Sequence, residues 1–175
     1  EMRANALDKM KERELSANEK QEVADKVAVA AIKYSILKQS RIKNIVFDPD
    51  ASLSFEGDSG PYLQYAHVRA LSVLRKAEEK KSTNIILIYQ NDKVPKHVTE
   101  LERLLYRFPE VVERAREEYE PHYVTTFLTE LAGAFNTWYA KEKIVDAGDA
   151  TSAYKVGLTY AFATTMKPRS KSIEH

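Results

Sequence analysis

Apolar residues recur every three or four positions through most of this chain, the mark of helices that bury one face. From Asn18 to Gln39, Val23, Val27, Ala30, Ala31, Tyr34 and Leu37 share one broad side, which is expected to be buried, with the alanines admitting a close neighbour. A weaker, charged helix is expected over 4–16, with Leu7, Met10 and Leu15 on one side. Beyond Pro61 a stripe of Leu63, Ala66, Ala70, Leu74 and Ala77 predicts a long helix. Val98, Leu101, Leu104, Leu105 and Phe108 predict another, and Pro109 is read as the start of a further helix, "PEVVERAREEY". After Pro121, Val124, Phe127, Leu128, Leu131, Phe135 and Trp138 form the strongest core stripe in the sequence. A last helix, from Asp149 or Ala150 to Lys167, presents Tyr154, Leu158, Ala161, Phe162 and Thr165. Two stretches break the pattern. "NIVFDPDASLSF", 44–55, reads as an extended piece, a turn and a second extended piece. "NIILIYQNDK", 84–93, is of strand length, but periodicity does not separate a strand from an irregular segment there. The fold class is mainly α.

Composition narrows the class without naming a partner. Lys and Arg total 27 against 26 acids, so a basic surface can arise only from local arrangement. With no cysteine there is no disulfide, thiol nucleophile or cysteine zinc site, which fits the reducing cytoplasm. No apolar run approaches the roughly 18 residues of a membrane span, so a soluble chain with no membrane partner is expected. His97 and Glu100 lie three apart with no third ligand in view, and no metal is expected.

The letters Gly57-Asp58-Ser59-Gly60 match those around the nucleophilic serine of trypsin-like proteases. That chemistry needs a histidine base, an orienting carboxylate and an oxyanion hole. None of the four histidines is tied to Ser59 by the sequence, and Pro61 stands where a second glycine would be expected. A polar residue ahead of a first-turn proline is also how helices begin, with Asp58 or Ser59 accepting from the first exposed amides. The helix start is the reading adopted.

The outer side of that helix carries Tyr62, Tyr65, Arg69, Ser72 and Lys76 on one line, aromatic first and basic after. Asn136 and Tyr139 fall off the core stripe of the later helix, just ahead of Lys141 and Lys143. Such a surface suits an unpaired nucleic-acid strand: tyrosine stacks on an extruded base for about 1–3 kcal/mol, and cations hold phosphates. The competing account is plain packing, with half-buried tyrosines and solvated cations.

"FEGDSGPYLQYAHVRALSVLRK" closely resembles the junction in arginyl-tRNA synthetases where the catalytic domain passes into the helical anticodon-binding domain. "RFPEVVERAREEYEPHYVTTFLTELAGAFNTWYAKEKI", 107–144, is similar to the same family's next stretch, and "VADKVAVAAIKYSILKQSRIKNIVFD" to the segment leading out of its core. The resemblance covers roughly residues 20–165. It implies a helical bundle of the anticodon-binding type seen in class I aminoacyl-tRNA synthetases. Residues 1–58 would then be the end of the catalytic core with a connector, 59–167 the anticodon-binding domain and 168–175 a tail. It also implies an arginine-accepting tRNA as partner, with the rest of the synthetase in cis. Tyr65 and Tyr139 would be the leading contacts, accompanied by Tyr62, Arg69, Lys76, Asn136 and Lys143. No cofactor is expected in this chain; ATP with magnesium is implied for the full-length ligase. The HIGH-type histidine pair and KMSKS-type loop are absent, so this chain alone is expected to be inactive in arginine activation. The ending "MKPRSKSIEH" departs from the family's usual terminus, which weakens whatever that terminus contributes to binding. A helical protein-docking module without an RNA role is the alternative.

Overall fold

The computed structural model describes residues 1–11, 14–79, 95 and 97–167, and among them the regular structure is all helical. In chain order these helices are α1 (Met2–Asp8), α2 (Ala17–Leu37), α3 (Pro49–Ser52), α4 (Gly60–Glu79), α5 (Glu100–Glu117), α6 (His122–Lys141) and α7 (Ser152–Met166). None of these described helices is long and apolar enough to cross a membrane. The expected strand-length run at 84–90 and the tail at 168–175 lie outside the described residues.

Two expectations are corrected at the level of elements. Segment 44–55 holds no strand among its residues, and its Asp-Pro-Asp is a helix start rather than a turn between strands. The Asp48 carboxylate accepts from the N–H groups of Asp50 and Ala51, and Pro49 occupies the first turn of α3. The second correction concerns Pro109, which lies inside α5 rather than at the head of a new helix. The helix begins instead in a reciprocal cap: Glu102 N–H donates to Thr99 Oγ1 at 3.3 Å, and Thr99 N–H donates to the Glu102 carboxylate at 2.6 Å. Interior proline deletes the hydrogen bond to the carbonyl four residues back, at about 3 kcal/mol. Buried Leu101 and Leu104 before it and Ala115 after it supply tertiary packing on both sides.

The end of α5 is equally specific. Tyr119 takes the left-handed conformation, φ 56°, so that Glu120 N–H reaches the Ala115 carbonyl at 3.0 Å and Tyr119 N–H the Arg116 carbonyl at 3.4 Å. This is a Schellman closure with tyrosine in the place glycine usually takes. Pro121 follows, and α6 begins at the next residue.

The chain divides into two compact units. Unit 1 comprises Glu1–Tyr65 and Arg107–Gly133, hence α1 to α3, the head of α4, the end of α5 and most of α6. In it Ala24, Ala28 and Ala31 of α2 pack with Met2, Ala6, Met10 and Leu53. The buried side of α2 is therefore rotated from the one expected: Val23 and Leu37 are exposed, while the alanines and Tyr34 are covered. Both sides of α2 are apolar, so spacing alone could not choose between them. Its start is fixed by a capping box, Ser16 with Glu19.

Unit 2 comprises Ala66–Tyr106 and Ala134–His175, and so holds the rest of α4, the head of α5, the end of α6 and α7. Val73 and Ala77 of α4 pack with Ile144, Val145 and Val156, and Leu74 and Trp138 flank them. Phe135 and Phe162, both fully buried, stack with centroids 4.0 Å apart. On α7 the covered side is Val156, Thr159, Phe162 and Ala163; of the expected line Phe162 is fully buried, while Tyr154 and Leu158 are only half-buried. Tyr154 is half-buried and donates to the Glu102 carboxylate; burial, then that carboxylate, pushes its hydroxyl up to about 12.

The loop from α6 to α7 is tied down by Lys155, whose ammonium meets Glu142 at 2.6 Å and Asp149 at 2.8 Å. Asp149 also accepts from the N–H and hydroxyl of Thr151. Lys155, then the Thr151 backbone, lowers its carboxyl from the ordinary 3.8 to about 2. A folded-state value below the unfolded one means the stabilisation is complete above about pH 4 and fades as pH falls through 2. The melting temperature of Asp149→Asn is accordingly expected to lie below that of the parent at pH 6, with the gap closing by pH 2. A gap independent of pH would contradict this.

Candidate nucleic-acid interface

The protease-like letters build the start of α4. Ser59 is 1% exposed; its hydroxyl donates to the Ser54 carbonyl and accepts from Tyr62 N–H at 3.1 Å, so it is the N-cap and not a nucleophile. Asp58 has a different job. Its carboxylate accepts from the buried Tyr34 hydroxyl and from Lys38 Nζ at 3.3 Å, while Tyr34 also bonds the Thr129 hydroxyl at 2.6 Å. Burial and then the Asp58 carboxylate raise the Tyr34 hydroxyl well above the usual tyrosine range. Gly60 is required by proximity: a Cβ there would stand 2.5 Å from the Ala30 carbonyl oxygen of α2. The head of α4 is thus fixed to α2 and α6, and this sets the direction in which its tyrosines and cations project.

Within unit 2, three of the seven sequence-derived candidates come together. The Arg69 guanidinium donates to Asn136 Oδ1 at 2.7 Å and lies 4.8 Å from the centroid of the Tyr139 ring. Phe135 backs the same ring at 6.1 Å. Tyr139 nevertheless remains 37% exposed. A phenol that contacts a cation and a buried phenyl while remaining partly open to solvent has less rotamer freedom left to lose on binding. Lys143 stands in the loop after α6, exposed, with its ammonium 2.9 Å from Asp146. Lys76 is exposed in the last turn of α4.

The other two candidates belong to unit 1. Tyr65 is 46% exposed and sits one helical turn before Arg69 on α4. Tyr62 is half-buried, its hydroxyl 3.8 Å from where a Gly133 Cβ would stand, so the glycine makes room for it. In the fold the Arg69 guanidinium lies against a ring and holds an amide. No spacing rule could have paired residues 69 and 139. The role of Phe135 behind Tyr139 was hidden for the same reason, since its place in the stripe spoke only of core. Among the described residues, no three His, Asp or Glu side chains are grouped so as to hold a metal ion.

Among the described residues, fold and site define a helical domain that presents aromatic, amide and cationic side chains. The profile of the DALR anticodon binding domain matches residues 63–169, and the chain belongs to that family. It is 37% identical over 163 residues to the arginine–tRNA ligase of Pyrococcus furiosus, spanning 91% of this chain and 26% of that protein. The ligase of Streptococcus thermophilus is 40% identical over 148 residues, 85% of this chain and 25% of its own length. The chain therefore spans about a quarter of the curated relatives it matches. Among solved structures, Thermus thermophilus arginyl-tRNA synthetase superposes with a TM-score of 0.75 at 31% identity, covering 94% of this chain and 28% of that one. The Plasmodium falciparum enzyme shares the fold, with a TM-score of 0.73 at 22% identity over 93% of this chain and 29% of its own.

Proposed function

We propose that this chain recognises the anticodon loop of an arginine-accepting tRNA, as part of a cytoplasmic arginine–tRNA ligase. The observation that carries the reading is the partly exposed Tyr139 ring against Arg69, itself hydrogen-bonded to Asn136, in a domain of the DALR family. A splayed base stacks on Tyr139, and a second on Tyr65; Tyr62 supports the head of α4, and Asn136 with Arg69 keeps the platform in place. Lys76 and Lys143 meet phosphates. In this reading residues 1–58 belong to the end of the catalytic core and 59–167 to the anticodon-binding domain. ATP and magnesium act in the remainder of the ligase.

Titration with arginine tRNA and with an unrelated tRNA across a salt series tests this. Binding is expected to favour arginine tRNA and to weaken as salt rises, because phosphate contacts release counterions. Removing one stacked base costs about 1–3 kcal/mol. Tyr139→Ala and Tyr65→Ala are each expected to lower affinity about tenfold, which is about 1.4 kcal/mol. Salt-independent binding that ignores tRNA identity would instead favour a protein-docking module.

A further inference from the structure

The stretch of unit 2 that supplies Lys143 to the tRNA reading cancels its own charge. From Lys141 to Lys155 the chain holds three lysines, Lys141, Lys143 and Lys155, and three acids, Glu142, Asp146 and Asp149. Glu142 and Asp149 both meet Lys155, whose side chain is 15% exposed, and this lysine ties the loop to α7. The third acid, Asp146, meets Lys143 at 2.9 Å. A loop expected to attract phosphate thus carries no net charge.

The two partners of that last pair are held very differently. Asp146 follows Ile144 and Val145, both buried in unit 2; its N–H donates to Ser152 Oγ at 3.0 Å, and Ser152 donates in turn to the Ile144 carbonyl at 2.8 Å. Asp146 Oδ1 accepts from Gly148 N–H at 3.1 Å, which leaves Oδ2 for the lysine. Backbone and carboxylate are therefore fixed. Lys143, then the Gly148 N–H, holds the carboxyl below its ordinary range, so it is an anion at neutral pH. The Lys143 side chain, by contrast, is 77% exposed, and among the described residues its ammonium has no second partner. An exposed pair of this kind adds little stability and exchanges readily. An anionic oxygen fixed 2.9 Å from an exposed ammonium stands where a phosphate oxygen would. We infer that Asp146 is a built-in substitute for phosphate on Lys143: RNA gains this contact only by displacing the carboxylate, and the loop's pull on polyanions is capped in the free protein. The inference rests on the tRNA reading and adds to it a residue that limits affinity. Exchanging one anion for another carries no base identity, so the cap falls on every RNA alike.

The test is Asp146→Asn in the 175-residue chain, titrated with arginine tRNA and with an unrelated tRNA across a salt series. The amide keeps an oxygen for Gly148 N–H, so the turn is retained while the charge goes. Both tRNAs are expected to bind about threefold tighter at low salt, the gain shrinking as salt screens the carboxylate. Asp146→Ser, which also keeps an uncharged acceptor, is expected to show the same gain. Adding Lys143→Ala is expected to abolish it, which a loop that had merely loosened would not do. Unchanged or weaker binding by both Asp146 variants overturns the inference, as does a gain that survives Lys143→Ala. Tyr139→Ala, run alongside, separates this from the stacking reading. Affinity lost there while Asp146→Asn matches the parent overturns the inference alone; affinity kept there while Asp146→Asn gains overturns stacking alone. Binding of tRNA by none of these proteins overturns both.

Discussion

Phe135→Ala is expected to cost unit 2 about 3–5 kcal/mol, measured by chemical unfolding of the 175-residue chain. Phe135 is fully buried, so nothing from solvent fills the space it leaves. Its stack on Phe162, near-parallel at 5° and 4.0 Å, is lost as well. The damage extends to the surface, because the Tyr139 ring loses its backing at 6.1 Å and keeps only Arg69. Phe135→Leu, which keeps most of the apolar volume, is expected to retain most of the stability but less of the tRNA affinity. A Phe135→Ala protein as stable as the parent would mean that the described core is wrong at its centre.

Gly60→Ala is expected to cost unit 1 about 3 kcal/mol, at the upper end of what overpacking does, although alanine is the better helix former by about 1 kcal/mol. The reason is the Ala30 carbonyl 2.5 Å from the added methyl, with its carbon at 2.7 Å; backbone on α2 cannot turn aside as a side chain tip would. Gly57→Ala offers a contrast: its φ of 74° strains an added side chain, but nothing lies within 4 Å of the Cβ. A smaller loss, about 1 kcal/mol, is expected there. Guanidinium unfolding of both variants settles the order, and equal losses would remove close approach as the explanation at Gly60.

These cases show where reading the sequence works and where it stops. The helix start at Ser59 and Pro61 was legible because capping is local chemistry, decided within four residues. The mainly α class was legible because the stripes of α4 and α6 are long and one-sided. The burial of α2 was not, since alanine on one side and valine and isoleucine on the other give two candidate faces, and the larger side chains stay outside. Pro109 misled because proline at a helix head and proline carried through a helix by packing on both sides look alike in sequence. The tyrosines and cations of the site could be named from their place on two helices and from a family resemblance. That Arg69 covers Tyr139 rather than projecting alone depends on a packing of α4 with α6 that no local rule supplies.

The Tyr34, Asp58 and Thr129 contacts join α2, the segment entering α4, and α6 through one carboxylate and two hydroxyls. Tyr34 is the shared member, so opening α2 takes a hydrogen bond from both Asp58 and Thr129, whereas displacing either of the other two elements costs Tyr34 one of its two bonds. Amide protons around Asp58 and Thr129 should therefore lose protection together with those of α2 near Tyr34, which hydrogen exchange would read as coupled opening.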